Sequence, residues 1–234
     1  AIIAARGGSR GIPGKNKKPL CGVPLLVWSA KACLESGAFD EVWVSSDADD
    51  ILDIARECGA KAHKRSAENS TGSASSESVV NEVLDAMETQ PDVAFLVQAT
   101  SPLTTSDEFA KAVELFLPAR EYDSVMSVTR QHLFVWTPAS GVDPPAGTSA
   151  TGLHVVPHGY DPAKRPMRQD RFGVLIESGS FWGFRLDAYR REGHRLCGKT
   201  MAFEVDEVGR VDIDEPLDWE IMEVLAKSRK PAYL

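Results

Sequence analysis

The chain opens AIIAARGGSRGIPGKNKK (residues 1–18), and the reading of that stretch decides the fold. The apolar run 1–5 suits a buried strand. A glycine-rich turn follows, carrying Gly7, Gly8, Gly11 and Gly14, with Arg6, Arg10, Lys15, Lys17 and Lys18 in or beside it. Glycine lets backbone amides approach an anion closely, and the cations neutralise it. A polyphosphate is the ligand this chemistry suits. Two familiar phosphate loops do not match. Gly14-Lys15 is followed by Asn16, so the hydroxyl of a Walker loop is missing, and Ser9 stands where its first glycine belongs. Gly7 and Gly8 are adjacent, which breaks the dinucleotide fingerprint.

Downstream, strand and helix signals alternate. Residues 24–36 read as a helix with proline at its start and Gly37 after its end. Then come a strand at 41–45, a helix at 49–58 stopped by Gly59, a short strand at 60–63 and a helix at 75–89. A buried strand at 92–97, a helix at 106–117 with Ser106 as its expected N-cap, and a strand at 122–128 complete the series. Repeated βα units with apolar strands predict an α/β fold, a mainly parallel, Rossmann-like sheet with helices on both faces. Ligands of such sheets gather at the carboxyl ends of the strands. The regularity breaks after Thr129. Residues 137–152 are rich in Pro, Gly, Ser and Thr, and about 130–172 read as an insertion, an arm suited to reach a partner subunit. Strands at 174–177, 180–184, 199–205 and 210–214 and a closing helix at 215–227 follow, giving one domain, 1–234, with an inserted arm.

With 234 residues, 43% hydrophobic and 8% aromatic, the chain has material for one large domain. The net charge of −8 argues against a general nucleic-acid binder, and no apolar run reaches the length of a membrane span or of a signal peptide core. Cys21, Cys33, Cys58 and Cys197 form no CxxC pair and have no histidine at ligand spacing, which predicts a reducing compartment with no disulfide framework and no structural zinc; Cys33 and Cys58, in amphipathic segments, read as core thiols.

Four further clusters carry chemistry. Asp212 and Asp214 flank Ile213; strand alternation would set both carboxylates on one face, where they suit a magnesium ion that also accepts phosphate oxygens. The competing reading is an exposed strand. Gln98-Ala99-Thr100-Ser101-Pro102 follows the strongest strand and offers an amide and two hydroxyls at its carboxyl end, as an ordinary βα turn also does. Arg65, with Ser75 and Ser76, suits base or phosphate contact, or simple capping. Lys164-Arg165-Pro166-Met167-Arg168-Gln169 suits an acidic sugar or a phosphate, and competes with a nuclear-localisation patch or a solvated loop.

In chain order, these segments resemble the N-acylneuraminate cytidylyltransferases. The matching residues are Ala5 through Pro13 with Lys15-Asn16, then Val44-Ser45-Ser46-Asp47, then Arg65-Ser66-Ala67-Glu68 and Gln98 through Pro102. Tyr122 through Val125, Lys164-Arg165-Pro166 with Arg168-Gln169-Asp170, and Val211-Asp212-Ile213-Asp214 continue the series. RQHLFVW at 130–136 and the Lys-Arg-Pro segment look most like the animal-type catalytic domain. The resemblance implies transfer of CMP from CTP to the anomeric hydroxyl of a sialic acid, with ketodeoxyoctonate or another acidic nonulose as the alternative substrate. It implies nucleotide contacts from Arg6, Gly7, Gly8, Ser9, Lys15, Asn16, Arg65 and Ser76. Gln98, Arg165, Arg168 and Gln169 would hold the sugar, and Asp212 and Asp214 would hold Mg2+, with Mn2+ as a substitute. Arg6, Lys15, Gln98, Asp212 and Asp214 would form the catalytic set. A homodimer or dimer of dimers, in the cytoplasm or nucleus, with no nucleic-acid or membrane partner, completes the expectation. A nucleotide-binding regulatory protein without catalysis is the rival of another class.

Overall fold

The structure, a computed structural model, describes the chain from Ala1 to Leu234 apart from Arg10, Gly72 and the side chain of Arg210. In chain order the elements are β1 (Ile2–Ala4), β2 (Pro19–Leu20), β3 (Val23–Pro24), α1 (Leu25–Glu35), β4 (Trp43–Ser46), α2 (Asp49–Glu57), β5 (Lys61–Lys64) and α3 (Ser76–Ala86). They continue as β6 (Val93–Val97), α4 (Ser106–Phe116), β7 (Ser124–Gln131), β8 (Trp136–Pro138), β9 (Val155–Pro157), β10 (Val174–Arg185), α5 (Leu186–Glu192), β11 (Thr200–Glu204) and α6 (Pro216–Arg229).

Seven strands form one sheet in the order β11-β7-β10-β6-β1-β4-β5. β1 pairs in parallel with both β4 and β6, β4 with β5, and β7 with β11, while β10 runs antiparallel to β6. The expected mainly parallel α/β sheet is therefore present. The chain leaves β1 toward β4 and β5, then returns to lay β6 on the other side of β1. Strand order thus reverses at β1, where doubly wound sheets open a crevice at their carboxyl edge.

The pleat explains why helices cover both faces. Ile3, Val44, Phe95, Val97 and Phe181 point to one side, into a core with Leu26 and Ala30 of α1, Ile51 and Ala55 of α2, and Phe109 and Phe116 of α4. Their neighbours Ile2, Ala94, Leu96, Trp182 and Phe184 point to the other, against Val80, Val83 and Leu84 of α3 and Tyr189 of α5. Cys33 and Cys58 sit in the first of these cores, and burial pushes the Cys33 thiol up to about 12. A third core joins Ile12, Leu20, Leu25 and Trp28 to Ile213, Trp219 and Met222.

Several boundaries depart from the sequence reading. Thr105, not Ser106, caps α4: its hydroxyl accepts from the Glu108 N–H while Glu108 reaches back, a capping box that outcompetes the neighbouring serine. Residues 174–177 and 180–184 form one strand, β10, which passes through Gly179 at φ 77°. α3 stops at Ala86, because Met87 turns to extended backbone. The chain divides into two compact units. One joins 1–129 to 177–234; the other is Arg130–Ile176 and contains the β8–β9 hairpin and the segment read as an arm.

Gly183 faces the first core, and a Cβ there would lie 2.6 Å from the Phe95 ring and 2.7 Å from Val125. Gly183→Ala is expected to lower unfolding free energy by about 1–3 kcal/mol. Gly8→Ala, which meets nothing within 4 Å, should change it by less than about 0.5 kcal/mol. Urea titration of the two variants beside the parent checks the contrast.

Candidate active site

The glycine-rich turn is folded by its own polar groups. The Gly7 N–H donates to Asp47 Oδ1 at 2.7 Å, and Asn16 Nδ2 donates to the Arg6 carbonyl at 2.9 Å. A Cβ on Gly7 would come within 2.8 Å of the Ala48 Cβ, so the loop can pass beside the end of β4 only as glycine. Gly14 takes φ 64° and starts a short 3-10 turn, Lys15–Lys17, that buries Lys15 and Asn16. Arg10 lies outside the described residues.

The acid-bearing segment comes to this loop from the far end of the chain. It is not the strand that alternation suggested. A 3-10 turn, Glu207–Arg210, capped by Asp206, takes its first residue, and Glu215 caps α6 just beyond its last. Between two helical caps the run is too short for a ladder; it holds one bond to the sheet region, Ile213 N–H to the Thr100 carbonyl at 3.1 Å. The in–out alternation survives. Val211 and Ile213 enter the third core, while Asp212 is half-buried and Asp214 exposed. The Asp218 carboxylate accepts from the N–H groups of Asp214 and Glu215, at 3.0 and 2.8 Å, and fixes the bend.

The two segments meet directly. Lys15 Nζ lies 3.1 Å from Asp214 Oδ1 and also donates to the Ile213 carbonyl. Gly11 presses on the backbone carbonyl of Asp214, leaving no room for a Cβ. Burial is the main cause that raises the Asp212 carboxyl from its ordinary value; the nearby Asp214 adds to the rise, and the Thr100 hydroxyl and Lys15 oppose it.

A cavity of about 560 Å³ opens here, and every residue lining it belongs to the first unit. Arg6, Ser9, Lys15 and Asn16 line one wall, Gln98 and Thr100 the head of β6, and Asp214 and Glu215 the acid segment. Arg65 is buried on a third side, its Nε donating to Ser45 Oγ at 3.1 Å and a terminal nitrogen to the Ser45 carbonyl at 2.9 Å. Ser76 stands at the first turn of α3, whose N-cap Ser75 accepts from the Ser78 N–H at 3.0 Å. Gln98 accepts from the Thr100 hydroxyl at 3.2 Å. Gly7 is engaged with Asp47, and Gly8 is exposed.

Arg165, Arg168 and Gln169 belong to the second unit. The Arg165 guanidinium stacks 3.9 Å from the centre of the Phe134 ring; Arg168 and Gln169 share an exposed 3-10 turn. Among the described residues no cluster of three metal-ligating side chains occurs. Asp212 Oδ1 is nonetheless buried without a hydrogen-bond partner, an arrangement that suits a cation. Two carboxylates also fit magnesium, which fills its other positions with water and phosphate oxygens. Asp47, Thr100 and Asp218 escaped assignment from sequence. Asp218 was readable as the third helical position after Glu215, a capping-box spacing; the Thr100 hydroxyl and the Asp47 motif were visible in the sequence, but no role was assigned to either residue.

Comparison with known proteins identifies relatives of the chain. A family model described as cytidylyltransferase matches residues 1–136. The chain is 41% identical over 223 residues to N-acylneuraminate cytidylyltransferase A of Danio rerio, covering 95% of this chain and 49% of that one. It is 28% identical over 221 residues to N-acylneuraminate cytidylyltransferase of an Escherichia coli O18:K1:H7 strain, covering 94% and 50%. The chain spans about half the length of the curated relatives it matches. A solved CMP:2-keto-3-deoxy-manno-octonic acid synthetase complexed with CTP superposes with a TM-score of 0.66 at 16% identity, covering 97% of each chain, and so shares the fold. On the family match over more than half its length, the chain belongs to the cytidylyltransferase family.

Proposed function

We infer that the chain transfers CMP from CTP to the anomeric hydroxyl of a sialic acid, releasing pyrophosphate. One observation carries the reading: the glycine-rich turn after β1 and the Asp212–Asp214 segment meet at one cavity, through Lys15, Asp214 and Gly11. The identity to sialic acid cytidylyltransferases supports the choice of sugar.

In this reading the sugar hydroxyl attacks the α-phosphorus of CTP; its new O–P bond forms as the bond to the pyrophosphate oxygen breaks. Arg6 and Lys15 neutralise phosphate oxygens, Asn16 holds the loop through the Arg6 carbonyl, and Arg65 and Ser76 face the nucleoside. Gln98 orients the sugar. Arg165, Arg168 and Gln169 are the candidates for its carboxylate or for the CTP. Asp212 and Asp214 would hold Mg2+, or Mn2+ in its place, which supplies charge neutralisation at the transferring phosphoryl group. Catalysis is then mainly positioning and charge stabilisation. The enzyme acts as a homodimer, in the cytoplasm or the nucleus. The apolar side chains that the second unit exposes, Leu133, Trp136 and Phe172 among them, support the association. Among the described residues no helix is long and apolar enough to cross a membrane.

Incubation with CTP, Mg2+ and a panel of sialic acids and ketodeoxyoctonate, read by product mass, is expected to give CMP-sialic acid. Turnover of ketodeoxyoctonate alone would move the specificity, and no product would overturn the reading. Asp212→Ala and Asp214→Ala should each lower kcat/KM at least about a hundredfold, since even outer-shell partners of metal sites cost about 10–100-fold. CTP binding without any product from the parent would favour the regulatory reading. Sedimentation velocity should give a species of at least twice the mass of the chain.

A further inference from the structure

Side chains alternate along β5, so His63 and Arg65, two residues apart, fall on one side of the sheet. On the neighbouring parallel strand β4, Ser45 stands directly opposite His63. The three side chains meet at the Ser45 hydroxyl. Arg65 Nε donates to Ser45 Oγ at 3.1 Å, and His63 Nδ1 lies 3.3 Å from the same oxygen. A terminal nitrogen of Arg65 also donates to the Ser45 carbonyl at 2.9 Å. Ser45 is fully buried; Arg65, only 9% exposed, lines the cavity, and His63 does not.

A guanidinium can only donate. The Ser45 oxygen therefore accepts from Arg65, and its own hydrogen needs an acceptor. His63 Nδ1 is that acceptor as long as the ring is neutral and carries its proton on Nε2. A charged imidazole donates from Nδ1 as well. Two donors then face one oxygen, a buried hydroxyl hydrogen loses its acceptor, and a second positive charge stands beside Arg65. Burial is the main cause that lowers the His63 pKa from its ordinary value; Glu82 of α3 opposes the fall and Arg65 adds to it. The Glu82 carboxylate accepts from the Ser66 N–H at 2.6 Å, from the Ser66 hydroxyl at 3.3 Å and from the Asn69 amide. Lys61, on the same side of β5, pairs with Glu41. Lys64 alternates to the other side and pairs with Asp49 of α2 at 2.7 Å.

We propose that His63 is a positioning residue for the nucleotide: its neutral imidazole takes the Ser45 hydrogen, and Ser45 in turn holds the Arg65 guanidinium toward the nucleoside. The inference rests on the reading above, in which Arg65 faces the nucleoside, and deepens it. The fit of the nucleotide wall then depends on the charge of a side chain outside the cavity. Protonation of His63 loosens Arg65, so nucleotide affinity is complete above the pKa of His63 and is lost as pH falls through it. That window lies below the ordinary imidazole value of about 6.5.

The test uses the whole chain with CTP and Mg2+ and no sugar, so binding is read without turnover. Calorimetric titration is run at about pH 7.5 and at about pH 5, on either side of an imidazole titration. His63→Asn places an amide oxygen near the position of Nδ1 and never charges. It should bind CTP like the parent at the higher pH, and its change at the lower pH measures what protonation of CTP and of other groups contributes. The parent is expected to lose at least about fivefold more affinity than this variant between the two pH values, the lower end of ordinary coupling between sites. His63→Gln serves the same purpose if the asparagine variant does not fold, as judged by thermal denaturation. Ser45→Ala should weaken CTP about tenfold at the higher pH, the loss of one hydrogen bond to a charged group, while kcat at saturating CTP stays within about twofold of the parent. Equal pH dependence in the parent and His63→Asn, or parental CTP affinity in Ser45→Ala, overturns the inference and leaves the transferase reading standing. The expected pattern in a parent that makes no CMP-sugar overturns the transferase reading and leaves the positioning role standing. A parent that binds no CTP overturns both.

Discussion

The closure of the acid segment onto the glycine-rich turn is the contact on which the rest of the site depends. It is held mainly by apolar packing. Ile213, Trp219 and Met222 are buried against Ile12, Leu20, Leu25 and Trp28. Each such side chain contributes about 1.5–3 kcal/mol on leaving water. The Lys15–Asp214 ion pair, with the Asp214 side chain 72% exposed, contributes no more than about 1 kcal/mol. The ion pair therefore aims the carboxylate, and the third core brings it there. Gly11 sets how near the two backbones come, since any side chain would strike the Asp214 carbonyl.

From that closure the division of labour follows. The parallel strands β1, β4 and β6 end at one edge; β1 and β6 deliver the glycine turn and the Gln98–Thr100 turn to a common cavity, and β4 sets the Ser45–Asp47 corner beside the glycine turn. Asp47 ties the first of these to the second through the Gly7 N–H, and Thr100 ties the third to the acid segment through Ile213. Each anchoring bond joins residues far apart in sequence. The loops are thus positioned by the sheet and locked by a few polar contacts, which suits chemistry that relies on orientation and charge.

Much of the fold was legible because its signals are local. The apolar strands, the glycine stops at 37 and 59, and the break in periodicity after Thr129 needed no partner to be read. What failed was context. The 210–214 run has strand alternation, yet the caps at Asp206 and Glu215 compete for its ends and leave it extended but unpaired. Ser106 and Thr105 are equivalent caps by composition; Glu108, three residues after Thr105, decides between them. The glycine turn, Arg65, Gln98 and the two acids were readable as residue types suited to a nucleotide. Their convergence was not, because strand order alone puts the end of β6 beside the end of β1. Thr100 and Asp47 were visible as members of their motifs, but their anchoring bonds to Ile213 and Gly7 were not, since each joins residues far apart in sequence.

The central claim is that the late acid pair holds a cation against the phosphates of a nucleotide seated on the first turn. It is tested most directly by phosphorus NMR of CTP with the protein and substoichiometric Mn2+. The account predicts protein-dependent broadening of the α-phosphorus resonance that is lost when Asp212 and Asp214 are both replaced by alanine. Broadening of the α-phosphorus that is the same with and without those carboxylates would contradict it.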